Sequence, residues 1–382
     1  MMNYPHSKLP DVGTSIFTIM SGLANEHKAI NLSQGFPDFN CPEPLINLVT
    51  QYMHEGFNQY APMPGVLKLR EKISVKTEKM YGYLPDPETE ITVTAGATEA
   101  LNAAITAVVK PGDEVIVLEP CYDSYAPVIR LCGGLPVYVP LMLPDFSVDW
   151  DRVKRSITSR TRLIIINTPH NPTGAVMTQQ DMNTLAKLIK DTDILIISDE
   201  VYEHMVFDEN VHYSALQNAQ LRERSFVISS FGKTYHTTGW KTGYAVAPAR
   251  LTAELRKMHQ FITFCAVTPL QLAIADFMDE ESHYLELPYF YQAKRDFFIE
   301  QLKQTRFEVI PSSGTYFQLA KYSSISDEHD QDFAKRLTKE TGVAAIPVSA
   351  FYHDKTDNKF LRFCFAKSEE TLRKAGEKLA KL

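Results

Sequence analysis

Residues 162–199 read RLIIINTPHNPTGAVMTQQDMNTLAKLIKDTDILIISD, and they contain the clearest indication of the fold in this chain. This stretch opens with the run Arg162–Ile166, continues through Gln179–Lys190, which has helical periodicity, and ends in the run Ile194–Ser198. A strand, a helix and a second strand in this order predict a parallel β-α-β unit. The two runs are apolar throughout rather than alternating, which is typical of strands covered on both faces.

The same pattern continues on both sides of this unit. Further short runs of strand composition are Ile91–Thr94, Glu114–Leu118, Phe226–Ser229 and Tyr244–Ala247. After about residue 270, longer and more charged helical stretches alternate with a few short strands. We therefore predict an α/β fold with a large, mostly parallel sheet and a smaller α+β domain. The expected division is an N-terminal arm with part of the small domain in 1–42, a large domain in 43–270 and a C-terminal small domain in 271–382.

Composition and charge exclude several classes of protein. The 382 residues are 44% hydrophobic and carry a net charge of −7, so neither nucleic acid nor a membrane surface is expected as a partner. Five scattered cysteines without a Cys-x-x-Cys pair predict reduced thiols and a cytoplasmic protein. The histidines lack zinc-type spacing, so we expect no metal. The N-terminus does not resemble a signal peptide, and the apolar runs are too short to span a bilayer.

Polar or glycine-containing segments follow five of the predicted strands directly. Ligands of a parallel sheet bind beyond the carboxyl ends of its strands, so one shared crevice is expected there. The five segments are Ala95–Thr98, Pro120–Asp123, Asn167–Gly174, Asp199–Tyr202 and Ser230–Lys233.

Each of these segments also has an ordinary structural interpretation. Residues 96–98 could simply begin a helix, Asn171–Gly174 could be a turn, Asp199 a helix cap and Lys233 a solvated lysine. A functional interpretation is favoured because the ordinary interpretations would all have to be true at the same time, at the ends of consecutive strands.

These motifs, in this order, resemble the class I, fold-type I aminotransferases that depend on pyridoxal phosphate. The resemblance runs from NLSQGFPDF at 31–39 to LRFCFAK at 361–367, and its most specific piece is SFGK at 230–233 followed by GWKTG at 239–243. QGFPDF at 34–39 and NTPHNP at 167–172 are most similar to the methionine and kynurenine (glutamine-type) aminotransferases. The resemblance implies a seven-stranded, mostly parallel sheet flanked by helices, in a large domain that binds the cofactor.

The resemblance also implies roles for individual residues in holding pyridoxal phosphate. Lys233 would bind the cofactor covalently and, once freed by the substrate, move a proton. Asp199 would keep the ring nitrogen protonated, Tyr202 and Asn171 would bond the ring oxygen, and Tyr122 would stack on the ring. The implied phosphate contacts are Ala97, Thr98, Ser230, Lys241 and, from the neighbouring subunit, Tyr60. A homodimer with shared sites is therefore expected.

The substrate residues implied by the resemblance favour uncharged amino acids. Arg362 would clamp the α-carboxylate, with Asn171 and Gly35 as further contacts. Phe17 and Phe264 would form an apolar, aromatic pocket, and the segment 261–267 around Phe264 contains no basic residue. Methionine, aromatic amino acids, glutamine and kynurenine are the expected donors, with a 2-oxo acid as acceptor.

Three alternatives are weighed against this interpretation. A cysteine-conjugate β-lyase would use the same scaffold and cofactor site. A non-catalytic, aminotransferase-like module would normally carry a DNA-binding extension, for which the chain has neither room nor a basic patch. A Rossmann dehydrogenase is disfavoured because no Gly-x-Gly-x-x-Gly follows any predicted strand.

Overall fold

The computed structural model describes residues 6–382. The helices are α1 (Ile16–Glu26), α2 (Glu43–His54), α3 (Leu67–Tyr81), α4 (Ala97–Val108), α5 (Tyr125–Leu131), α6 (Trp150–Ser156), α7 (Gln179–Ile189), α8 (Ala219–Arg222), α9 (Phe231–Thr234), α10 (Ala249–Ile262), α11 (Thr268–Phe277), α12 (Ser282–Leu285), α13 (Leu287–Leu302), α14 (Asp330–Arg336) and α15 (Glu369–Leu379). The strands are β1 (Ile30–Asn31), β2 (Ile91–Thr94), β3 (Glu114–Glu119), β4 (Leu135–Pro140), β5 (Thr161–Asn167), β6 (Leu195–Asp199), β7 (Ser225–Ser230), β8 (Gly243–Val246), β9 (Glu308–Val309), β10 (Phe317–Lys321), β11 (Val343–Ala344), β12 (Ile346–Pro347) and β13 (Phe360–Cys364). Within this described range, none of the helices is long and apolar enough to cross a membrane.

The predicted large sheet is present and has seven strands. Their order is β2-β8-β7-β6-β5-β3-β4, with every pair parallel except the two that involve β8. The central strands are rich in isoleucine and valine and are buried nearly throughout, because helices and their apolar side chains cover both faces. The prediction of a mostly parallel α/β sheet is confirmed.

Strand β4 is the one member of this sheet that matches none of the strand-like runs. It lies at the sheet edge, pairs only with β3 and is partly exposed along most of its length. Pro136 and Pro140 interrupt its sequence, and proline cannot donate a ladder hydrogen bond, so it is tolerated mainly on edge strands.

A second, smaller sheet lies in the C-terminal part of the chain. Its strands are antiparallel in the order β12-β13-β10-β9, and α13, α14 and α15 contribute to the core that covers it. The N-terminal segment joins this part, because β1 pairs in parallel with β11. Helix α11 spans residue 270 and buries its side chains in the core of the large sheet. The domain limits at residues 42 and 270 stay predictions.

Candidate active site

A crevice with a volume of about 270 Å³ lies at the carboxyl ends of the large-sheet strands, where β10 and β13 of the small sheet face them. Most of the residues singled out from the sequence converge on it. The predicted site residues that line the crevice are Phe17, Gly35, Ala97, Thr98, Tyr122, Asn171, Asp199, Tyr202, Ser230, Lys233, Lys241 and Arg362.

Lys233 lies in the short helix α9, directly after β7, and its amine points into the crevice. Its Nζ donates to the Tyr316 hydroxyl at 2.6 Å and to the Gly35 carbonyl at 3.3 Å. Burial lowers the pKa of Lys233 to about 8, since desolvation penalises the ammonium form. A lysine with a lowered pKa has a reactive, neutral amine close to neutral pH.

Asp199 ends β6 and lines the crevice. Its carboxylate accepts hydrogen bonds from the Tyr125 hydroxyl at 2.6 Å and the Val201 N–H at 3.4 Å. Burial raises the pKa of Asp199 to about 6. No cationic side chain within residues 6–382 forms an ion pair with it, so this carboxylate is available to a cationic group of a ligand.

Arg362 projects from β13 and is 1% exposed. Its Nη1 donates to Asn171 Oδ1 at 2.7 Å and its Nη2 to the Ser33 carbonyl at 3.1 Å. Its guanidinium lies 3.8 Å from the centre of the Phe317 ring, and its buried Nε has no hydrogen-bond partner in the described part of the chain. A buried guanidinium with a free N–H suits a carboxylate ligand.

The loop that carries Asn171 is fixed to the end of β6. Asn171 N–H donates to Asn167 Oδ1 at 2.8 Å, and Asn167 Nδ2 donates to the Asp199 carbonyl at 2.8 Å. These contacts couple the positions of Asn171 and Asp199, because the side-chain amide of Asn167 is hydrogen-bonded to the backbone of both residues.

The part of the crevice formed by the start of α4 can hold an anion. Helix α4 begins after Gly96 without a side-chain cap, and within residues 6–382 the N–H groups of Ala97 and Thr98 have no hydrogen-bond acceptor, so they can bind a ligand. Lys241 and Ser230 line the crevice beside this helix end. Gly96 has a φ of +81°, and a Cβ there would lie 3.3 Å from Lys241 Cε. Glycine thus allows the turn and leaves room for the lysine.

Gly35 occupies a position where a side chain would clash. A Cβ at this residue would lie 2.8 Å from Phe317 Cζ and 3.5 Å from Tyr316 Cε2. Nearby, Gln34 Nε2 donates to the Phe17 carbonyl at 3.1 Å, and the Phe17 ring lies 5.3 Å from the Arg362 guanidinium. The loop around Gly35 therefore brings an aromatic wall and a backbone carbonyl into the crevice.

Tyr60 and Phe264 lie outside the crevice of their own chain. They are 84% and 41% exposed, and their rings meet edge to face at 5.5 Å. The roles that the resemblance implies for them belong to a neighbouring subunit's site and stay predictions.

Three residues that contact the side chains of the crevice were not predicted from the sequence: Tyr125, Tyr316 and Phe317, of which Phe317 itself lines the crevice. They contact Asp199, Lys233 and Arg362, which lie 74, 83 and 45 positions away along the chain. None of the three stands in a local motif, although their aromatic character near a strand or helix start could have marked them as candidates.

Comparison with known proteins agrees with this geometry. Residues 27–379 match the family model for aminotransferase class I and II. The chain belongs to this family. Its fold is that of the fold-type I aminotransferases, and it is an aminotransferase rather than a dehydrogenase or a non-catalytic module.

Individual relatives of this aminotransferase cover the whole chain. A methionine aminotransferase of Escherichia coli (strain K12) is 54% identical over 379 residues, which are 99% of this chain and 98% of the relative. A kynurenine–oxoglutarate transaminase of Dictyostelium discoideum is 34% identical over 99% of this chain and 96% of its own length. A solved structure from Escherichia coli, described as having a methionine aminotransferase function, superimposes with a TM-score of 0.98, with 54% identity and full coverage of both chains. The similarity to methionine and kynurenine aminotransferases is thereby confirmed.

Proposed function

We propose that this aminotransferase uses pyridoxal phosphate to move the amino group of an uncharged L-amino acid, methionine foremost, to a 2-oxo acid. The observation that carries the proposal is Arg362, a buried guanidinium whose Nε lacks a partner in the described chain. It lies in the same crevice as the Lys233 amine. An amino acid presents a carboxylate and, one bond away, the carbon whose proton must move, so these two groups match the substrate.

The residues of the crevice fit the proposed cofactor at both of its ends. The free N–H groups of α4, together with Lys241 and Ser230, suit a phosphate. Asp199, buried and unpaired with any cation of the described residues, suits a protonated ring nitrogen, and Tyr122 lines the crevice beside them. When bound, pyridoxal phosphate supplies an electron-withdrawing ring that stabilises negative charge on the substrate carbon.

The protein's own residues then have separable tasks. Lys233 would hold the cofactor through its amine, and the same amine, when free, would take the proton from the substrate carbon. Its lowered pKa serves both tasks, because each requires the neutral amine. Arg362 and Asn171 hold the carboxylate and so orient the proton toward Lys233.

The proposed preference for uncharged donors is supported by the walls of the crevice. Phe17 and Phe317 supply aromatic surface beside Arg362. Arg362 can bind the α-carboxylate of the substrate. The exposed segment around Phe264 contains no basic residue that could bind a second carboxylate in the substrate side chain. Methionine suits such a pocket because its flexible, polarisable chain adapts to aromatic surroundings. The 54% identical methionine aminotransferase supports the same choice.

A homodimer with shared sites is part of the proposal. Tyr60, Phe261, Phe264 and Val267 are between 41% and 84% exposed in the single chain. Apolar side chains gathered on one surface favour association. A second subunit that covers them would bring Tyr60 and Phe264 to the neighbouring crevice, as the family resemblance implies.

Borohydride reduction tests the cofactor assignment. The purified enzyme, reconstituted with pyridoxal phosphate, is treated with borohydride, digested and mapped by mass spectrometry. We expect the cofactor label on Lys233, with Lys241 as the internal control because it lies in the same crevice and keeps a free amine. A label on Lys241 or on any other lysine would overturn the assignment.

A donor panel tests the substrate class. We expect kcat/KM for methionine and phenylalanine to exceed that for aspartate with a common 2-oxo acid, because a second carboxylate would be buried without a partner. Ammonia release in the absence of the oxo acid is measured in parallel, since it would reveal β-lyase activity. A higher kcat/KM for aspartate would contradict the proposed specificity.

A further inference from the structure

The amine of Lys233 has a hydrogen-bonding environment that the proposed cofactor roles do not explain. It donates to the Tyr316 hydroxyl at 2.6 Å and to the Gly35 carbonyl at 3.3 Å. The Tyr316 hydroxyl in turn donates to the same carbonyl of Gly35. The three groups form a closed triangle, in which the amine donates to both oxygens and the hydroxyl donates to the carbonyl.

Tyr316 is held rigidly enough to define this position. Its side chain is completely buried, and its ring packs edge to face against Tyr202 at 5.1 Å and Phe317 at 4.9 Å. Burial, together with the neighbouring Tyr202, raises the pKa of Tyr316 well above its ordinary value, so the hydroxyl stays protonated. Since its one proton points to Gly35, its oxygen lone pairs are left to accept from Lys233.

We propose that the Tyr316 hydroxyl and the Gly35 carbonyl form a resting site for the Lys233 amine during the part of the reaction in which that amine is detached from the cofactor. The inference rests on the proposed function, because it requires Lys233 to be the cofactor lysine. It makes Tyr316 a positioning residue, which acts by holding the amine that moves the proton.

The need for such a site follows from the side chain of lysine and its surroundings. A detached lysine has a flexible four-carbon stem, and its amine must stay beside the substrate carbon in order to act as a base. The charged and titratable groups that face it come from β6, β13 and the segments next to β6 and β8. They are Asp199, Tyr202, Lys241, Arg362 and Cys364. Burial, together with Arg362 and Lys241, disfavours an ammonium here, whereas Asp199 favours it. The Tyr316 hydroxyl and the Gly35 carbonyl are the uncharged acceptors that keep the protonated amine in place.

The test uses the reconstituted holoenzyme and the variant Tyr316→Phe, which removes only the hydroxyl. The reaction with methionine alone is followed by stopped-flow absorbance of the bound cofactor. We expect the rate to fall roughly 10- to 100-fold, the effect of losing one hydrogen bond to a charged group. The rate ratio between ordinary and Cα-deuterated methionine should increase, because proton transfer becomes more strongly rate-limiting.

The pH dependence of the same reaction gives a second readout. Loss of an acceptor disfavours the ammonium form, so the pKa of the detached amine should fall. The acidic limb of the rate profile is therefore expected at lower pH in Tyr316→Phe than in the unsubstituted enzyme.

Tyr291→Phe is the matched control. Tyr291 belongs to the same buried aromatic group, with its ring 5.9 Å from that of Tyr316, but its hydroxyl contacts His236 Nδ1 at 2.9 Å instead of Lys233. It loses the same atom from the same core, so its rate, isotope effect and pH profile should match those of the unsubstituted enzyme. Thermal unfolding of both variants verifies that they are folded.

The outcomes separate the two proposals. If borohydride labels Lys233 in the unsubstituted enzyme but Tyr316→Phe keeps the normal rate, isotope effect and pH profile, the resting site is wrong and the cofactor assignment stands. Equal losses in Tyr316→Phe and Tyr291→Phe, with unchanged isotope effects, would also overturn it, because they indicate a structural role only. If the label misses Lys233, the proposed function itself fails.

Discussion

Arg362→Met should reduce activity strongly and stability only modestly. Methionine has a comparable length but cannot donate to a carboxylate. The substrate would lose the contacts available from the fork of Arg362, and hydrogen bonds between charged groups contribute about 1.5–3 kcal/mol each. Two such contacts correspond to a fall in kcat/KM of roughly 10²- to 10⁴-fold.

The environment of the Arg362 guanidinium determines how this substitution changes the free energy of unfolding. Burial lowers the pKa of Arg362 from 12.5 to about 10, which corresponds to about 3 kcal/mol spent on keeping the charge in place. Its removal relieves that penalty but deprives Asn171 Oδ1 and the Ser33 carbonyl of a donor, at about 1–3 kcal/mol each. At their midpoints the opposing contributions differ by only about 1 kcal/mol, and the free energy of unfolding should fall by at most about 3 kcal/mol.

The assay pairs steady-state kinetics for methionine with urea unfolding of the cofactor-free protein. Arg295→Met is the control: Arg295 is equally buried, but it is paired with Asp208 and Asp296 outside the crevice. That variant should lose about 1–3 kcal/mol of stability and keep its kcat/KM. If Arg362→Met retains kcat/KM, or if its loss of activity is accompanied by an equally large loss of stability, Arg362 does not act as the carboxylate clamp.

Three further predictions concern the remaining parts of the site. Asp199→Asn should lower kcat for methionine by about 10²-fold or more while the cofactor still binds, because the charge that stabilises a protonated ring nitrogen is lost. Near-normal turnover would refute this role of Asp199. In the cofactor-free enzyme, the rate of covalent attachment of pyridoxal phosphate, measured by absorbance, should rise with pH and reach half its maximum near pH 8. The reason is that burial lowers the pKa of Lys233 and only the neutral amine attacks. A midpoint near pH 10.5 would contradict this prediction. Tyr60→Phe should weaken cofactor binding without unfolding the chain, and sedimentation should show a dimer; a fully active monomer would exclude shared sites.

Much of the large sheet follows from local sequence, because its strands are short apolar runs that glycine, proline and polar residues bound clearly. The direction of β8 is harder to predict from the sequence. Only twelve residues separate the end of β7 from the start of β8, and this connection contains no long crossover helix, so the two strands run antiparallel. The sequence pattern shows a strand at this position but not its direction, which depends on what the chain between the strands can span.

The residues of the candidate site also differ in how well the sequence predicts them. Lys233 and Asp199 are visible in the sequence because they follow strands directly, and a strand's end fixes where its next residues lie. Tyr316 and Phe317 are not, because the small sheet brings them to the crevice and its placement depends on packing between distant segments. Contacts across 45 to 83 positions follow from tertiary structure alone.

The turn that follows β6 explains how the site keeps its geometry. Asp199 and Tyr202 line the crevice, whereas Glu200 and Glu203, which alternate with them, are buried on the other side. Glu203 forms an ion pair with Lys76 at 2.8 Å that is buried on both sides. Such a pair adds little net stability, but a rotation of the turn would break it and leave buried charges unpaired, at about 3–5 kcal/mol. We infer that the buried carboxylates hold Asp199 and Tyr202 in a single orientation, so that the geometry of the crevice is set from the core beneath it.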